Sequence, residues 1–261
     1  REGPGLGTPR EGIVMACAPS ANIHPTAVVS SQADLGEHVQ VGAYAVIEGR
    51  VAIGDECVIR PGAYLYGPMT MGRCNQVFTG AVLGEKPQHT KYQDEPTTLE
   101  IGDNNTFREH VTIHRGTTHS MKTVIGNDNF FMAHSHVAHD CIIGNRCTLA
   151  NCALVAGHCE LGDNVFLSGH TAVHQFVKIG RLALLSGVTA TGKDVPPFII
   201  QQGIDCVAGI NVDGMRRAGM SNQQINEVKE AFRILFREKM SVPLAIAKME
   251  HELGASAPVQ E

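Results

Sequence analysis

Tryptophan is absent from the 261-residue chain, and aromatic residues make up only 5% of it. Because large rings dominate most cores, this composition predicts an interior of small and branched side chains. No stretch approaches the roughly 20 apolar residues of a membrane-spanning helix, and residues 1–18 lack a convincing signal sequence. These absences favour a cytoplasmic protein without stable membrane insertion. The net charge of −5 argues against a general nucleic-acid binder.

The cysteines lack the spacing of metal or redox motifs. Eight are present and none belongs to a CxxC pair. In a long chain without export signals they are interpreted as reduced thiols. Residues 1–20, which begin polar and rich in glycine and proline, are expected to form a disordered extension or the remnant of an expression tag.

A six-residue repeat organises the chain from Ile23 onward. Of the 28 positions reached in steps of six from residue 23 to residue 185, 25 are Ile, Leu, Val, Met or Phe. The exceptions are His89, Glu95 and His119. Four residues after each of these aliphatic anchors comes a small residue or valine, among them four of the cysteines. The residue directly after the anchor is often glycine, which permits the backbone conformations of a tight corner.

Each repeat predicts one short strand and one turn, with the anchor and the small residue pointing inward. Three repeats, or 18 residues, close one triangular coil, and coils stack through parallel strands about 4.8 Å apart. The predicted fold is an all-β parallel β-helix over residues 21–195. The polar segment 85–98 breaks the repeat and is predicted to be an extruded loop suited to substrate contact. Residues 117–123 are expected to form a smaller loop.

The periodicity becomes helical in the last part of the chain. Ser221 and Ser241 are the predicted N-caps of two helices, so residues 196–261 are expected to form a small α-helical region. Basic residues collect there, at Arg216, Arg217, Lys229, Arg233, Arg237 and Lys239. They form either an ordinary solvated face or a docking surface for an acidic carrier protein.

Histidines are concentrated in the segment FMAHSHVAHDC, which holds His134, His136 and His139, followed by Asp140. Histidine and aspartate are ordinary metal ligands, but these histidines occupy different positions in their repeats and need not converge. Catalysis is the favoured alternative, because an imidazole is the usual general base for activating a hydroxyl.

Residues 18 apart lie above one another in adjacent coils where no insertion intervenes. This register places Gly157 above His139, His158 above Asp140, and Gln175 two coils above His139. The backbone N–H of Gly157 is then about one strand spacing from the candidate base. It can stabilise an oxyanion if the strand ladder leaves it free.

Seven segments carry a more specific pattern: GEKPQHTKY, REHVTIHRGT, HVAHDCIIGNRCTLAN, LVAGH, TAVHQF, KDVPPF and GINVDGMRR. They resemble the hexapeptide-repeat acyltransferases, whose fold is a left-handed β-helix, and within them the UDP-N-acetylglucosamine O-acyltransferases of lipid A biosynthesis. The resemblance covers about residues 22–257. It implies that a (3-hydroxy)acyl group passes from acyl carrier protein to the 3-hydroxyl of UDP-N-acetylglucosamine, the first step of lipid A biosynthesis. It also implies a homotrimer and no need for a metal or organic cofactor.

The resemblance assigns roles to individual residues. His139 matches the catalytic base, Asp140 its companion acid, and Gly157 the backbone donor to the thioester oxyanion. Gly187 matches the region that sets acyl-chain length. The residues that match substrate contacts or shape the site are Gln88, His89, Lys91, Tyr92, His136, His158, His174, Gln175, Asn211, Asp213 and Arg217.

The sequence departs from the family pattern at two places. His89 stands where the family usually has an aspartate, and the basic run after Gly214 is one arginine short. The acceptor group, a hydroxyl or a 3-amino analogue, stays open at this point. So do three other functions: a γ-class carbonic anhydrase-like metalloenzyme with three converging histidines, another hexapeptide-repeat acyltransferase, and a non-catalytic β-helix scaffold.

Overall fold

The computed structural model describes residues 16–261. Within this range the chain winds through three flat sheets, passing from one to the next at each corner. Sheet I contains β1 (Ala16–Cys17), β4 (Asp34–Leu35), β7 (Val51–Ile53), β10 (Met69–Met71), β13 (Thr98–Ile101), β16 (Lys122–Ile125), β19 (Ile142–Ile143), β22 (Glu160–Leu161) and β25 (Lys178–Ile179).

The other two sheets complete the triangle. Sheet II contains β2 (Asn22–Ile23), β5 (Gln40–Val41), β8 (Val58–Ile59), β11 (Gln76–Val77), β14 (Thr106–Phe107), β17 (Phe130–Phe131), β20 (Thr148–Leu149), β23 (Phe166–Leu167), β26 (Leu184–Leu185), β28 (Ile199–Gln201) and β29 (Val207–Ile210). Sheet III contains β3 (Val28–Val29), β6 (Val46–Glu48), β9 (Tyr64–Tyr66), β12 (Val82–Glu85), β15 (Thr112–His114), β18 (His136–Val137), β21 (Leu154–Val155), β24 (Ala172–Val173) and β27 (Ala190–Thr191). The predicted fold class, a parallel β-helix with C-terminal helices, is confirmed.

The register follows the 18-residue coil, as in the pairs Ile142↔Glu160 and Val137↔Val155. Two insertions interrupt it, because Met71 pairs with Ile101 and Leu99 pairs with Thr123. The inserted lengths, twelve and six residues, are multiples of the repeat, so the phase of the anchors continues unchanged. The loops cover residues 86–97 and 115–121, and Lys122 and Thr123 therefore belong to β16 instead of the smaller loop.

The interior is built as the repeat predicts. Anchors such as Leu65, Ile113 and Leu149 are fully buried, and Cys57 and Cys141 fill the narrow positions four residues after an anchor. All eight cysteines are free thiols. Burying aliphatic side chains along the whole axis stabilises the prism without large rings.

The glycines that follow the anchors serve a different purpose from the predicted one. Among Gly36, Gly42, Gly54, Gly72, Gly84, Gly102, Gly126, Gly144, Gly162 and Gly180, only Gly84 has a positive φ. At all ten, an added Cβ would lie within 3.0 Å of an atom in a neighbouring coil. Glycine is required there for the close approach of coils. The left-handed corner conformation is instead adopted by other residue types, including Asp140 and His158.

The β-helix pairing continues to β28, past the expected boundary at residue 195, and β29 closes the end of sheet II in antiparallel orientation. Three helices follow: α1 (Val212–Arg217), α2 (Asn222–Arg237) and α3 (Val242–Leu253), with a 3₁₀ turn at Ala257–Val259. Ser221 caps α2 through a capping box with Gln224. Ser241 precedes α3 without a side-chain capping bond.

Of the segment expected to be an extension, residues 1–15 lie outside the described part of the chain, and Ala16–Cys17 already form β1. In residues 16–261, none of the helices combines the length and apolar character that crossing a lipid bilayer requires.

Candidate active site

One corner of the prism, between sheets III and I, brings together the predicted catalytic residues. His139 and Asp140 turn the corner after β18, Gly157 and His158 do so one coil above, and Phe176 lies one coil higher. The two coils are stacked in register at this corner, because the N–H of His158 donates to the carbonyl of His139 at 3.0 Å. Asp140, His158 and Phe176 share left-handed backbones with φ of 61°, 64° and 68°, a conformation that is uncommon outside glycine.

Asp140 is a fully buried carboxylate, and the smaller loop surrounds it with donors. Its Oδ1 accepts from the N–H of Thr117 at 2.9 Å and from the N–H and hydroxyl of Ser120 at 3.2 and 2.5 Å. Its Oδ2 accepts from the Thr117 hydroxyl at 2.6 Å. Burial alone would raise the pKa of Asp140, but hydrogen bonds from His139, Ser120 and Thr117 outweigh it and hold that pKa well below its usual range.

His139 is joined to this carboxylate. Its Nδ1 lies 2.7 Å from Oδ2 of Asp140, and its side chain is 11% exposed. Because the carboxylate is ionised, it can only accept, so Nδ1 carries the proton and donates. In the neutral imidazole, the other ring nitrogen, Nε2, then has no proton, as a general base requires.

Gly157 lies against the imidazole of His139. A Cβ on Gly157 would be 2.7 Å from Cε1 and 3.0 Å from Nε2 of that ring. Its backbone N–H has no acceptor among residues 16–261, in contrast to the neighbouring N–H of His158. The sequence analysis required that the strand ladder leave the N–H of Gly157 free beside the candidate base. In the described part of the chain it does so.

An open groove of about 370 Å³ runs along the outer face of sheet III from this corner. His136 and His139 line it together with Gln88, Leu154, Ala156 and Ala172. The Nδ1 of His136 is 2.7 Å from the Thr112 hydroxyl, and burial lowers the pKa of His136. Burial together with His136 and His139 lowers the pKa of His114, whose ring packs edge-on against His136, to about 4. These imidazoles are therefore neutral at neutral pH.

The larger loop brings His89 to the base, with ring centroids of His89 and His139 5.2 Å apart. Tyr92 fixes the loop internally, because its hydroxyl donates to the carbonyl of Glu95 at 2.6 Å and accepts from Nε of Arg115 at 3.2 Å. Arg115 is buried, and its Nη1 donates to the carbonyl of Gly67 at 2.9 Å. It ties the loop to the body of the β-helix. Lys91 is exposed on the outer part of the loop.

Three further predicted site residues, Asn211, Asp213 and Arg217, lie elsewhere in this chain. Asn211 is buried, caps α1 through the N–H of Gly214, and donates to the carbonyl of Leu182. Arg217 lines a separate groove on sheet II, and Asp213 is exposed beside Arg216. A single copy of the chain does not bring these three residues to His139.

Three more predicted positions are distributed along the prism. His174 and Gln175 are exposed at the same corner, one coil above Gly157. Gly187 precedes β27 on the opposite edge of sheet III, three coils above β18, or about 14 Å at the strand spacing. The apolar outer face of sheet III connects the His139 corner with the coil of Gly187.

The three histidines of the carbonic anhydrase alternative do not converge. His134 stacks on His110 at another corner, and His136 is bonded to Thr112. Among residues 16–261, the one group of potential metal ligands within 4.8 Å of each other is His139, Asp140 and His158. The oxygens of Asp140 are already occupied by donors from Thr117, Ser120 and His139, so a metal would have to displace these bonds.

Sequence reasoning missed the residues that hold the site in place. Thr117 and Ser120 bind Asp140, Thr123 accepts from its backbone N–H through the hydroxyl at 2.9 Å, and Arg115 anchors the larger loop. Arg115 and Thr117 belong to the segment REHVTIHRGT, which carried the family resemblance, and this was the available signal. For Ser120, the available signal was the six-residue insertion of the smaller loop, which lies next to Asp140 in the structure.

Known proteins similar to this chain are acyltransferases. Residues 32–67 and 122–157 match the family model described as bacterial transferase hexapeptide, and residues 194–261 match domain 2 of UDP-N-acetylglucosamine O-acyltransferase. The acyl-[acyl-carrier-protein]–UDP-N-acetylglucosamine O-acyltransferase of Anaeromyxobacter sp. (strain Fw109-5) is 48% identical, over 89% of this chain and 91% of that protein. Its counterpart in Halorhodospira halophila is 44% identical, over 91% and 93%.

The chain belongs to the UDP-N-acetylglucosamine O-acyltransferase family. Solved structures agree: UDP-N-acetylglucosamine acyltransferase from Campylobacter jejuni matches with a TM-score of 0.87 at 36% identity, covering 92% of this chain and 93% of that one. The enzyme from Bacteroides fragilis matches with a TM-score of 0.83 at 36% identity, covering 93% of each. The predicted family membership and the prediction of an acyltransferase are thereby confirmed.

Proposed function

We propose that this acyltransferase transfers a (3-hydroxy)acyl group from acyl carrier protein to the 3-hydroxyl of UDP-N-acetylglucosamine in the cytoplasm, the first step of lipid A biosynthesis. The observation that carries the proposal is the pair formed by His139 and the free N–H of Gly157, placed side by side at the end of an open groove. Acyl transfer to a hydroxyl requires a general base and a nearby hydrogen-bond donor for the oxyanion.

In the proposed mechanism, Nε2 of His139 removes the proton of the sugar hydroxyl, and the oxygen attacks the thioester carbon. The N–H of Gly157 donates to the developing oxyanion. As the tetrahedral intermediate collapses, the C–S bond breaks and the imidazolium returns its proton to the thiolate of the carrier. Asp140, held ionised by Thr117 and Ser120, stabilises the imidazolium between these steps.

The rest of the substrate site is proposed to need a second copy of the chain. Asn211, Asp213 and Arg217 match nucleotide contacts but lie apart from His139 within one chain. In a homotrimer, two neighbouring prisms face each other, and the second copy can supply these contacts. Arg217 is suited to the diphosphate because its guanidinium pairs with phosphate in a bidentate manner.

The proposed positions of acyl carrier protein and of its acyl chain follow from charge and shape. We assign acyl carrier protein, an acidic partner, to the basic C-terminal surface of Arg216, Lys229, Arg237 and Lys239, and leave Arg217 to the diphosphate. Arg233 contributes less, because Glu230 and Glu238 already pair with it. The acyl chain is proposed to follow the apolar outer face of sheet III toward Gly187.

A transfer assay with the purified chain tests the function. UDP-N-acetylglucosamine is incubated with hydroxyacyl carrier proteins of graded chain length, and the product is identified by mass spectrometry. A sugar nucleotide heavier by one acyl group, with one free carrier thiol released per product, is the expected result. A folded protein that acylates this acceptor with none of the chain lengths would refute the proposal.

Metal removal is expected to leave the transfer rate unchanged, since Asp140 and His139 already satisfy each other. The enzyme is dialysed against a chelator, its zinc content is measured by elemental analysis, and turnover is compared before and after. Stoichiometric zinc together with activity that disappears on chelation and returns with zinc would favour the metalloenzyme alternative, built on His139, Asp140 and His158.

Tyr92→Phe is expected to raise KM for UDP-N-acetylglucosamine while leaving kcat close to that of the wild type. The variant loses the hydroxyl that joins Glu95 and Arg115, so the loop that carries Gln88 and Lys91 is less ordered before binding. Losing one or two such bonds corresponds to about tenfold in affinity.

Steady-state kinetics with both substrates varied provide the measurement for this variant. Tyr44→Phe is the matched control, because Tyr44 is 70% exposed at a distant corner. An unchanged KM in Tyr92→Phe would show that the hydroxyl does not order the loop for substrate.

A further inference from the structure

His119 has no role in the mechanism above, yet the smaller loop places it beside the dyad. The two residues of this loop that hold Asp140, Thr117 and Ser120, flank it in sequence. The backbone N–H of His119 also lies 3.3 Å from the Thr117 hydroxyl oxygen. The position of His119 is therefore fixed relative to the Asp140 carboxylate.

The ring of His119 packs on His158. Their centroids are 4.6 Å apart with an interplanar angle of 76°, and Phe176 stacks on His158 at 4.4 Å and 2°. The His119 ring also meets Phe176 edge-on, with centroids 6.4 Å apart. A third ring, that of His139, meets His158 edge-on at 5.0 Å. The orientation of His158 is thus set by packing between rings.

No hydrogen bond fixes this orientation. The Nδ1 atom of His158 is buried without a partner among residues 16–261 and lies 3.7 Å from Oδ2 of Asp140. The same Oδ2 accepts from Nδ1 of His139 at 2.7 Å. Two imidazoles therefore face one carboxylate oxygen, and Nδ1 of His158 lies about half an ångström beyond hydrogen-bonding distance of it.

We propose that His119 is a positioning residue for the acyl transfer: its ring holds His158 away from Asp140, so that the carboxylate orients His139 alone. This inference rests on the proposed function of His139. The charged and titratable groups that face His158 are Asp140, His139, His119 and His89, contributed by the dyad corner and by both loops. Among them, Asp140 is the one anionic acceptor for a proton on Nδ1 of His158.

Removing the His119 ring leaves space on one side of His158. In the tautomer with the proton on Nδ1, His158 can then donate to Oδ2 of Asp140, because a buried unpaired donor gains a charge-assisted bond. His139 then shares its bond to Oδ2 of Asp140 with His158 or loses it. As a result, the tautomer and the orientation of His139 are no longer fixed. The loss concerns the chemical step, because the groove that receives substrate is lined by other residues.

The test compares kcat and KM in His119→Ala, His119→Phe and Thr118→Ala. Thr118 is an exposed residue of the same loop and is the matched control. We expect His119→Ala to lower kcat about tenfold, because misplacing a catalytic group by about 1 Å costs up to about a hundredfold and the displacement expected here is smaller. KM for the sugar nucleotide should change little. His119→Phe, which keeps a ring on His158, should restore most of kcat.

A second comparison removes the competing nitrogen. In the His158→Phe background, His119→Ala should have no further effect on kcat, since a phenyl ring at that position offers no donor to Asp140. A wild-type kcat in His119→Ala would overturn the inference. So would a loss confined to KM, a His119→Phe variant as slow as His119→Ala, or an undiminished effect of His119→Ala in the His158→Phe background. Wild-type turnover, measured first, separates these outcomes from failure of the proposed function.

Discussion

His139→Ala is expected to abolish acyl transfer while leaving the β-helix folded. The variant removes the imidazole whose Nδ1 is bonded to Asp140 and whose ring contacts Gly157. Loss of a general base costs about 10²- to 10⁴-fold in rate, so kcat should fall to that extent with KM for UDP-N-acetylglucosamine preserved. The measurement is single-turnover transfer from acyl carrier protein, supported by circular dichroism and sedimentation to verify the fold and the association state.

The matched control is His24→Ala, since His24 is exposed in an early coil far from the dyad. The pH dependence is a further check on the roles. The hydrogen bonds that lower the pKa of Asp140 keep it ionised between about pH 8 and 5, so a loss of wild-type activity over that range is not caused by protonation of Asp140. Wild-type-like turnover in His139→Ala would sink the assignment of the base.

The repeat made the scaffold and half of the site predictable. Because the coil has 18 residues and no insertion falls between residues 139 and 175, adding 18 places Gly157 and His158 correctly above His139 and Asp140. The aliphatic anchors are buried where the periodicity requires. In such a solenoid, each coil contacts only its neighbours, so local spacing determines tertiary position.

The 18-residue spacing does not predict the paths of the two loops. Their lengths keep the phase of the repeat, but their path depends on contacts such as Tyr92 with Arg115 and Ser120 with Asp140. No periodicity encodes those contacts. The approach of His89 and His119 to the dyad could therefore not be inferred from spacing. The role of the glycines that follow the anchors was mispredicted for the same reason. The distance between stacked coils depends on tertiary packing, which the repeat does not show.

Gly157→Ala is expected to lower kcat about a hundredfold, the effect of misplacing a catalytic group by about 1 Å. The backbone does not require glycine here, since Gly157 is absent from the residues with positive φ. Space does, because the new methyl group would lie 2.7 Å from Cε1 of His139. The imidazole is held by Asp140 through Nδ1, so moving away from the new methyl group would strain or break that bond.

The consequence is a specific pattern of kinetics for Gly157→Ala. The variant keeps its backbone N–H, so the lost activity reflects displacement of His139, and the double variant with His139→Ala should be no slower than His139→Ala alone. Gly209→Ala is the control, because nothing lies within 4 Å of an added Cβ there. Full activity in Gly157→Ala would mean that the corner accommodates the methyl group without displacing His139. Additive losses in the double variant would instead place Gly157 in a role independent of the base.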